Sequence, residues 1–180
     1  MLCPCDSGKQ FTSCCLPIIN GEKYAISPEQ LMRSRFSAYV SKNTQYIFNS
    51  YALSSQKSQS IEDIKSWANN CHFIKLTIHS TSPFTDEHLA QDSLLPTVEF
   101  TALYRVADRL YQMTEKSRFI KESQTNSQQV LRDSQWVYLD GDVDDHQLVT
   151  KIKRNDPCPC KANEIKTVKK KFKKCCGSQL

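Results

Sequence analysis

The chain has 180 residues, of which 39% are hydrophobic, 24% charged and 9% aromatic. This length and balance suit a globular protein with one sizeable core, and they exclude a collagen-like or wholly disordered chain. The net charge of +5 is unevenly placed, because residues 151–180 carry +8 and residues 1–150 carry −3. The basic character therefore belongs to the C-terminal tail.

Hydropathy and cysteine placement predict the compartment. No apolar run reaches the roughly 18 to 20 residues that a membrane helix needs, and Cys3 lies where a signal peptide would carry basic and then apolar residues. We therefore expect a cytoplasmic protein without a membrane span. Thiols stay reduced in the cytoplasm, so closely spaced cysteines there indicate metal binding rather than disulfides.

The predicted helices come first in the chain. Ser27 and Pro28 begin one helix, because serine caps a helix N-terminus and proline suits its first position. A second helix is predicted after Asn43, and Ser60 begins a third. Trp67, in the third helix, is predicted to be a core residue.

The predicted strands follow the helices. Runs rich in apolar and β-branched residues, most of them alternating with polar ones, predict four strands over 74–78, 98–106, 110–122 and 136–139. Asp140 and Gly141 are expected to end the last strand, and the polar segment 123–129 is predicted to be a mobile hairpin loop. Helices followed by long meandering strands predict an α+β fold, with helices on one face of a mainly antiparallel sheet.

Eight of the nine cysteines form two copies of one pattern, Cys-Pro-Cys followed by Cys-Cys. The N-terminal cluster comprises Cys3, Cys5, Cys14 and Cys15, and the C-terminal cluster comprises Cys158, Cys160, Cys175 and Cys176. Four thiolates about 2.3 Å from a zinc ion complete a tetrahedron, which is typical of structural rather than catalytic zinc. We expect two zinc ions, one per cluster, that fold segments too short to fold alone. A redox dithiol, a disulfide pair and an iron–sulfur cluster are the alternatives.

The N-terminal cluster resembles a known module. Residues 3–15 read Cys-Pro-Cys-Asp-Ser-Gly-Lys-Gln-Phe-x-x-Cys-Cys and are similar to the SEC-C motif, a zinc-binding module also found at the C-terminal end of the bacterial preprotein translocase motor ATPase. Asp6 stands where the motif usually has glycine. The C-terminal copy differs more from the SEC-C motif, because it has Lys-Ala-Asn at 161–163 and six extra residues before Cys175. These differences change the loop between the cysteine pairs but not the four cysteine ligands.

The middle of the chain resembles a family. LMRSRFSAY at 31–39, E-x-S-x-F at 115–119 and W-x-Y-x-D-G at 136–141 are similar to stretches of the YchJ family of small bacterial proteins. That resemblance implies a central domain of the nuclear-transport-factor-2-like (NTF2-like) fold, a curved antiparallel sheet wrapped by helices into a cone. The expected parts are an N-terminal SEC-C zinc motif over 1–20, an NTF2-like α+β domain over 21–150 and a basic C-terminal SEC-C-like zinc motif over 151–180.

The first functional hypothesis is a non-catalytic, zinc-stabilised binding module. The SEC-C module of the translocase motor docks a chaperone and the ribosome, so the resemblance implies that the tail lysines contact an acidic protein partner or the ribosome. These lysines are Lys166, Lys169, Lys170, Lys171, Lys173 and Lys174. Only Phe172 lies among them, which argues against sequence-specific nucleic-acid binding. The oligomeric state is left open.

The alternative is small-molecule binding or catalysis in the cavity of the central domain. Catalysis there would need an inward carboxylate or histidine, and the candidates are Glu99, Glu115 and His79, with Arg33 and Arg35 as their partners. Charged groups on strands and helices usually face solvent, so a non-enzyme is favoured and no catalytic residue is assigned. The four glycines form no Gly-x-Gly pattern, so a nucleotide-binding glycine loop is not expected.

Overall fold

The computed structural model describes residues 1–83, 95–107, 109–123, 134–149 and 152–178. The helices are α1 Leu16–Ile19, α2 Pro28–Ser41, α3 Thr44–Asn49, α4 Leu53–Gln56, α5 Ile61–Asn70 and α6 Lys161–Glu164. The strands are β1 Cys71–Thr81, β2 Thr97–Val106, β3 Arg109–Glu122 and β4 Gln135–Leu148. Short 3₁₀ turns span Phe11–Ser13 and Phe172–Lys174. Across these described ranges, no helix is long and apolar enough to cross a membrane.

Side-chain caps fix the starts of the three longest helices. Three capping oxygens accept backbone N–H groups at 3.0 to 3.2 Å: Ser27 from Gln30, Asn43 from Tyr46 and Ser60 from Asp63. Each bond satisfies a donor that the first helical turn leaves without an internal partner. The three predicted helix starts are therefore confirmed.

The four strands form one antiparallel meander in the order β1-β2-β3-β4. This confirms the predicted α+β class with an antiparallel sheet. The predicted end of the last strand is wrong, because β4 pairs with β3 beyond Gly141 as far as Leu148. Arg118 of β3 forms ion pairs with Asp140 and Asp142 of β4, and this cross-strand pairing favours extension of an acidic stretch that otherwise resembles a turn. The predicted loop over 123–129 lies, beyond Ser123, outside the described residues.

The main core lies between α2 and one face of the sheet. Its buried members are Leu31, Met32, Phe36, Leu76, Val98, Phe100, Ala102, Phe119 and Trp136. Part of the opposite face is also buried, because Leu103 of β2 packs with the C-terminal cysteine cluster. The prediction for Trp67 is wrong: its side chain is 41% exposed, and its ring meets the edge of Tyr104 at 5.5 Å.

Candidate functional site

The N-terminal cysteine cluster is built on a short hairpin. Leu2 and Gln10 form an antiparallel bridge, and the amide of Cys3 donates to the carbonyl of Lys9 at 2.8 Å. The 3₁₀ turn that follows carries the second cysteine pair back to the first. As a result, the four sulfur atoms lie within 4.8 Å of one another.

The C-terminal cluster repeats this hairpin in spite of its longer loop. Pro157 and Lys171 form the equivalent bridge, and the amide of Cys158 donates to the carbonyl of Lys170 at 3.0 Å. Helix α6 lies in the segment that separates its two cysteine pairs. Its four sulfur atoms also lie within 4.8 Å of one another, so the altered loop still brings the whole ligand set together.

Asn163 of α6 closes this longer loop. Its side chain is fully buried; its Nδ2 donates to the carbonyls of Cys158 at 2.9 Å and Lys170 at 3.1 Å. Its Oδ1 accepts from the amide of Lys170 at 2.7 Å. No role for Asn163 was predicted, although an asparagine between ligand pairs is a signal of side-chain bonding to a loop backbone.

We expect Asn163→Asp to weaken metal binding at the C-terminal cluster alone. The aspartate keeps the shape of the side chain but loses both donated bonds and places a negative charge against two carbonyl oxygens. Outer partners of metal ligands typically contribute about 10- to 100-fold in affinity, so a loss in that range is expected in a competition titration with a chelator. The exposed Asn155→Asp is the charge-matched control, and equal affinities for the two variants would contradict this role.

Sulfur spacing in both clusters fits a single metal ion. Tetrahedral ligands about 2.3 Å from one ion lie about 3.8 Å apart. The sulfur of Cys14 lies 3.8 Å from that of Cys5 and 3.9 Å from that of Cys15, and Cys160 and Cys175 are separated by 3.5 Å. None of the nine cysteines forms a disulfide. Separations this short leave no room for a cluster of several iron and sulfide ions.

The thiols of each cluster compete for the ionised state. Hydrogen bonds from Cys15 and Cys5 lower the pKa of Cys3 to about 3, whereas the contacts with Cys3 and Cys5 raise the pKa of Cys15 well above its usual range. In the C-terminal cluster, burial and the neighbouring thiols raise the pKa of Cys160 to about 12. Several thiolates can therefore coexist only beside a cation, as a bound divalent metal would provide.

The two clusters are attached to different parts of the central domain. The N-terminal cluster packs into a core with Ala38 and Ile47, and Arg33 of α2 donates to the carbonyl of Cys5 at 2.6 Å. The predicted cavity partner Arg33 thus supports a cysteine loop instead. The C-terminal cluster packs on the sheet beside an ion pair of 2.5 Å between Lys75 and Glu164.

The central domain also contains a cavity of about 200 Å³ between α2, α5 and the sheet. Of the five charged residues considered for it, Arg35 and Glu115 line the cavity. Glu99 instead accepts from Ser80, and His79 bonds Thr101 among exposed side chains. Glu115 faces inward with Met113 and Phe119, as the two-residue period of β3 requires. The bulge beside it places its extra residue in β4 and leaves this alternation unchanged.

An antiparallel sheet covered by helices, with a four-cysteine cluster at each end, defines the class of SEC-C motif containing proteins with an NTF2-like middle domain. The family model described as YchJ, middle NTF2-like domain, matches residues 27–141, and the chain belongs to that family. This confirms the resemblance predicted from the sequence.

Two solved structures are similar over most of the chain. A SEC-C motif containing protein from Psychrobacter arcticus is 26% identical, with a TM-score of 0.62, and the match covers 99% of this chain and 96% of that one. RPA3114, a SEC-C motif containing protein from Rhodopseudomonas palustris, is 27% identical with a TM-score of 0.64. That match covers 81% of this chain and 100% of the other.

Proposed function

We propose that this protein is a non-catalytic, zinc-binding docking module. Residues 1–20 and 151–180 each hold one zinc ion, and residues 21–150 form the domain between them. The support is a set of four converging sulfur atoms at each end, at spacings that fit a tetrahedral ion. Four protein ligands leave no position for a substrate, so both ions are structural. Zinc binding requires these cysteines to stay reduced, which accords with a reducing, cytoplasmic setting.

The docking surface is the basic tail. Of the six lysines predicted to contact a partner, five are exposed and Lys173 is half-buried, and within the part of the chain that the structure describes none of the six forms an ion pair. Four of them line one shallow hollow: Lys169, Lys170, Lys171 and Lys174. Such a concentration of unneutralised charge attracts an acidic partner over a distance of about one Debye length. This surface is the observation that carries the proposal.

Apolar side chains beside the lysines favour a protein partner over RNA. Val168 is 82% exposed and Ile165 is 62% exposed, so the surface offers apolar contacts as well as charge. Phe172, the one aromatic residue among the lysines, packs against the C-terminal cluster and is not free to stack on bases. An acidic protein segment with interspersed apolar residues matches both features.

Charge reversal tests this docking surface. A variant with Lys166, Lys169, Lys170 and Lys171 all changed to glutamate is expected to bind a fluorescent peptide of alternating glutamate and leucine at least about tenfold more weakly than the unchanged protein. Anisotropy titration of the zinc-loaded full chain measures the affinity. Binding by the unchanged protein should also weaken as salt is raised, because exposed charges are screened.

A matched variant separates local from total charge. Changing the exposed Lys23, Lys57, Lys65 and Lys116 to glutamate alters the net charge equally but leaves the tail intact, and we expect its affinity to stay within about twofold. Equal losses in the two variants would contradict a specific docking surface. Tighter binding of poly-uridylate than of the peptide would show that the partner is RNA and not a protein. Co-sedimentation with ribosomes that is lost after RNase treatment would show the same.

A further inference from the structure

The cavity of the central domain contains a buried charge. Arg35 of α2 is 4% exposed, and arginine stays protonated in proteins. Its Nη1 donates to the carbonyl of Ile47 at 3.2 Å and to Oγ of Ser50 at 2.5 Å. Both acceptors are neutral, so neither offsets the charge of the guanidinium.

Two tyrosine rings form a corner around this guanidinium. The centroids of Tyr51 and Tyr138 each lie 4.3 Å from Cζ of Arg35, and the rings stand at 89° to each other. Burial raises the pKa of both Tyr39 and Tyr138 well above the usual tyrosine range. The neighbouring Glu115 raises the pKa of Tyr138 further. Both phenols therefore stay neutral, and Tyr138 contacts the cation through its ring without supplying a counter-charge.

The carboxylate of the cavity, that of Glu115, is bonded to two hydroxyl groups and not to Arg35. Oε1 of Glu115 accepts from Oγ of Ser117 at 2.6 Å and from the hydroxyl of Tyr138 at 2.9 Å. Glu115 and Arg35 both line the cavity, yet among the ion pairs of the described residues neither has a partner. The guanidinium therefore has no carboxylate in contact, and an anionic group seated on it would supply the charged partner that Glu115 does not.

The remaining wall is apolar and mostly aromatic. It includes Phe73, Phe100, Ala102, Tyr104 and Met113, with Trp67 beside them. The cavity of about 200 Å³ is larger than an engineered apolar cavity of about 150 Å³ that admits benzene. From the buried guanidinium that no carboxylate contacts, in a largely aromatic cavity, we propose that this site binds a small aromatic monocarboxylate, with its carboxylate on Arg35 and its ring among the apolar side chains.

Benzoate and benzamide provide the direct test, because they share a shape and differ in charge. With zinc-loaded full chain, benzoate is expected to perturb the tryptophan fluorescence, to which Trp67 of the cavity wall contributes, and the methyl NMR signal of Met113. It is also expected to bind at least about tenfold more tightly than benzamide. This comparison uses the unaltered protein and needs no variant. Equal affinity for the two probes, or binding of neither, would overturn the proposal.

Three variants locate the site. Arg35→Met should abolish the preference for benzoate. Arg118→Met is the control, because it removes a guanidinium of β3 that pairs with β4 outside the cavity, and it should leave the preference unchanged. Ala102→Leu fills the cavity without altering its charge and should weaken both probes at least about tenfold. If Arg35→Met does not fold, the Ala102→Leu result still decides. A benzoate preference that survives cavity filling contradicts the assignment.

Discussion

Replacing Cys3 and Cys5 with serine is expected to remove one of two zinc ions and to lower the melting temperature by more than about 10 °C. Structural zinc contributes on the order of 10 kcal/mol to the folding of isolated zinc-finger peptides, and loss of about 4 kcal/mol would shift a domain of this size by that amount. The N-terminal cluster shares a core with Ile47 and Ile64, so its loss exposes part of the central domain as well. Metal analysis and calorimetry measure the two effects.

The equivalent change in the tail is the matched control. Cys158→Ser with Cys160→Ser should also remove one zinc ion but lower the melting temperature less, because that cluster packs against the outside of the sheet near Leu103 and Leu110. Equal shifts for the two double variants would contradict this difference in attachment. Iron in place of zinc in the purified protein would contradict the choice of metal.

Gly141→Ala is expected to destabilise the protein by about 2 to 3 kcal/mol, a large effect for one methyl group. A Cβ at this position would meet the Glu115 side chain, contacting Oε1 and lying 2.7 Å from Cδ and 2.9 Å from Cγ. Glu115 is held by hydroxyl donors from Ser117 and Tyr138, so it cannot move aside without losing them. Urea unfolding measures the change.

A double-mutant cycle isolates the contact between Gly141 and Glu115. In a Glu115→Ala background the clashing atoms are absent, and Gly141→Ala should then cost less than about 1 kcal/mol. The backbone of Gly141 does not lie in the left-handed region, so alanine itself is compatible with this strand. An undiminished cost in that background would show that the penalty arises elsewhere.

Local sequence signals predicted most of the fold, and the exceptions have a common physical origin. Caps at Ser27, Asn43 and Ser60 depend on one or two neighbouring residues, so they can be recognised from the chain alone. The extension of β4 depends on Arg118, which is distant in sequence from the aspartates that it pairs with. Burial of Leu103 likewise requires the C-terminal tail to fold over the sheet.

The candidate metal ligands were predictable because cysteine spacing is itself the signal. All eight predicted residues converge in two groups of four. The cavity residues were harder, since Arg33 and Arg35 are two positions apart on one helix and only the fold shows which faces inward. Glu115 was among the candidates, and alternation with Phe119 places it on the inner face of β3, but which inward charged groups line the cavity depends on the helices that cover the sheet.

The repeated hairpin changes how such modules should be sought in other sequences. Eight residues separate the cysteine pairs of the first cluster and fourteen separate those of the second, yet the same amide-to-carbonyl bond closes each, from Cys3 to Lys9 and from Cys158 to Lys170. A search template of fixed length therefore finds the first copy and passes over the second. A template that anchors the two ends and lets the interval vary would recover both.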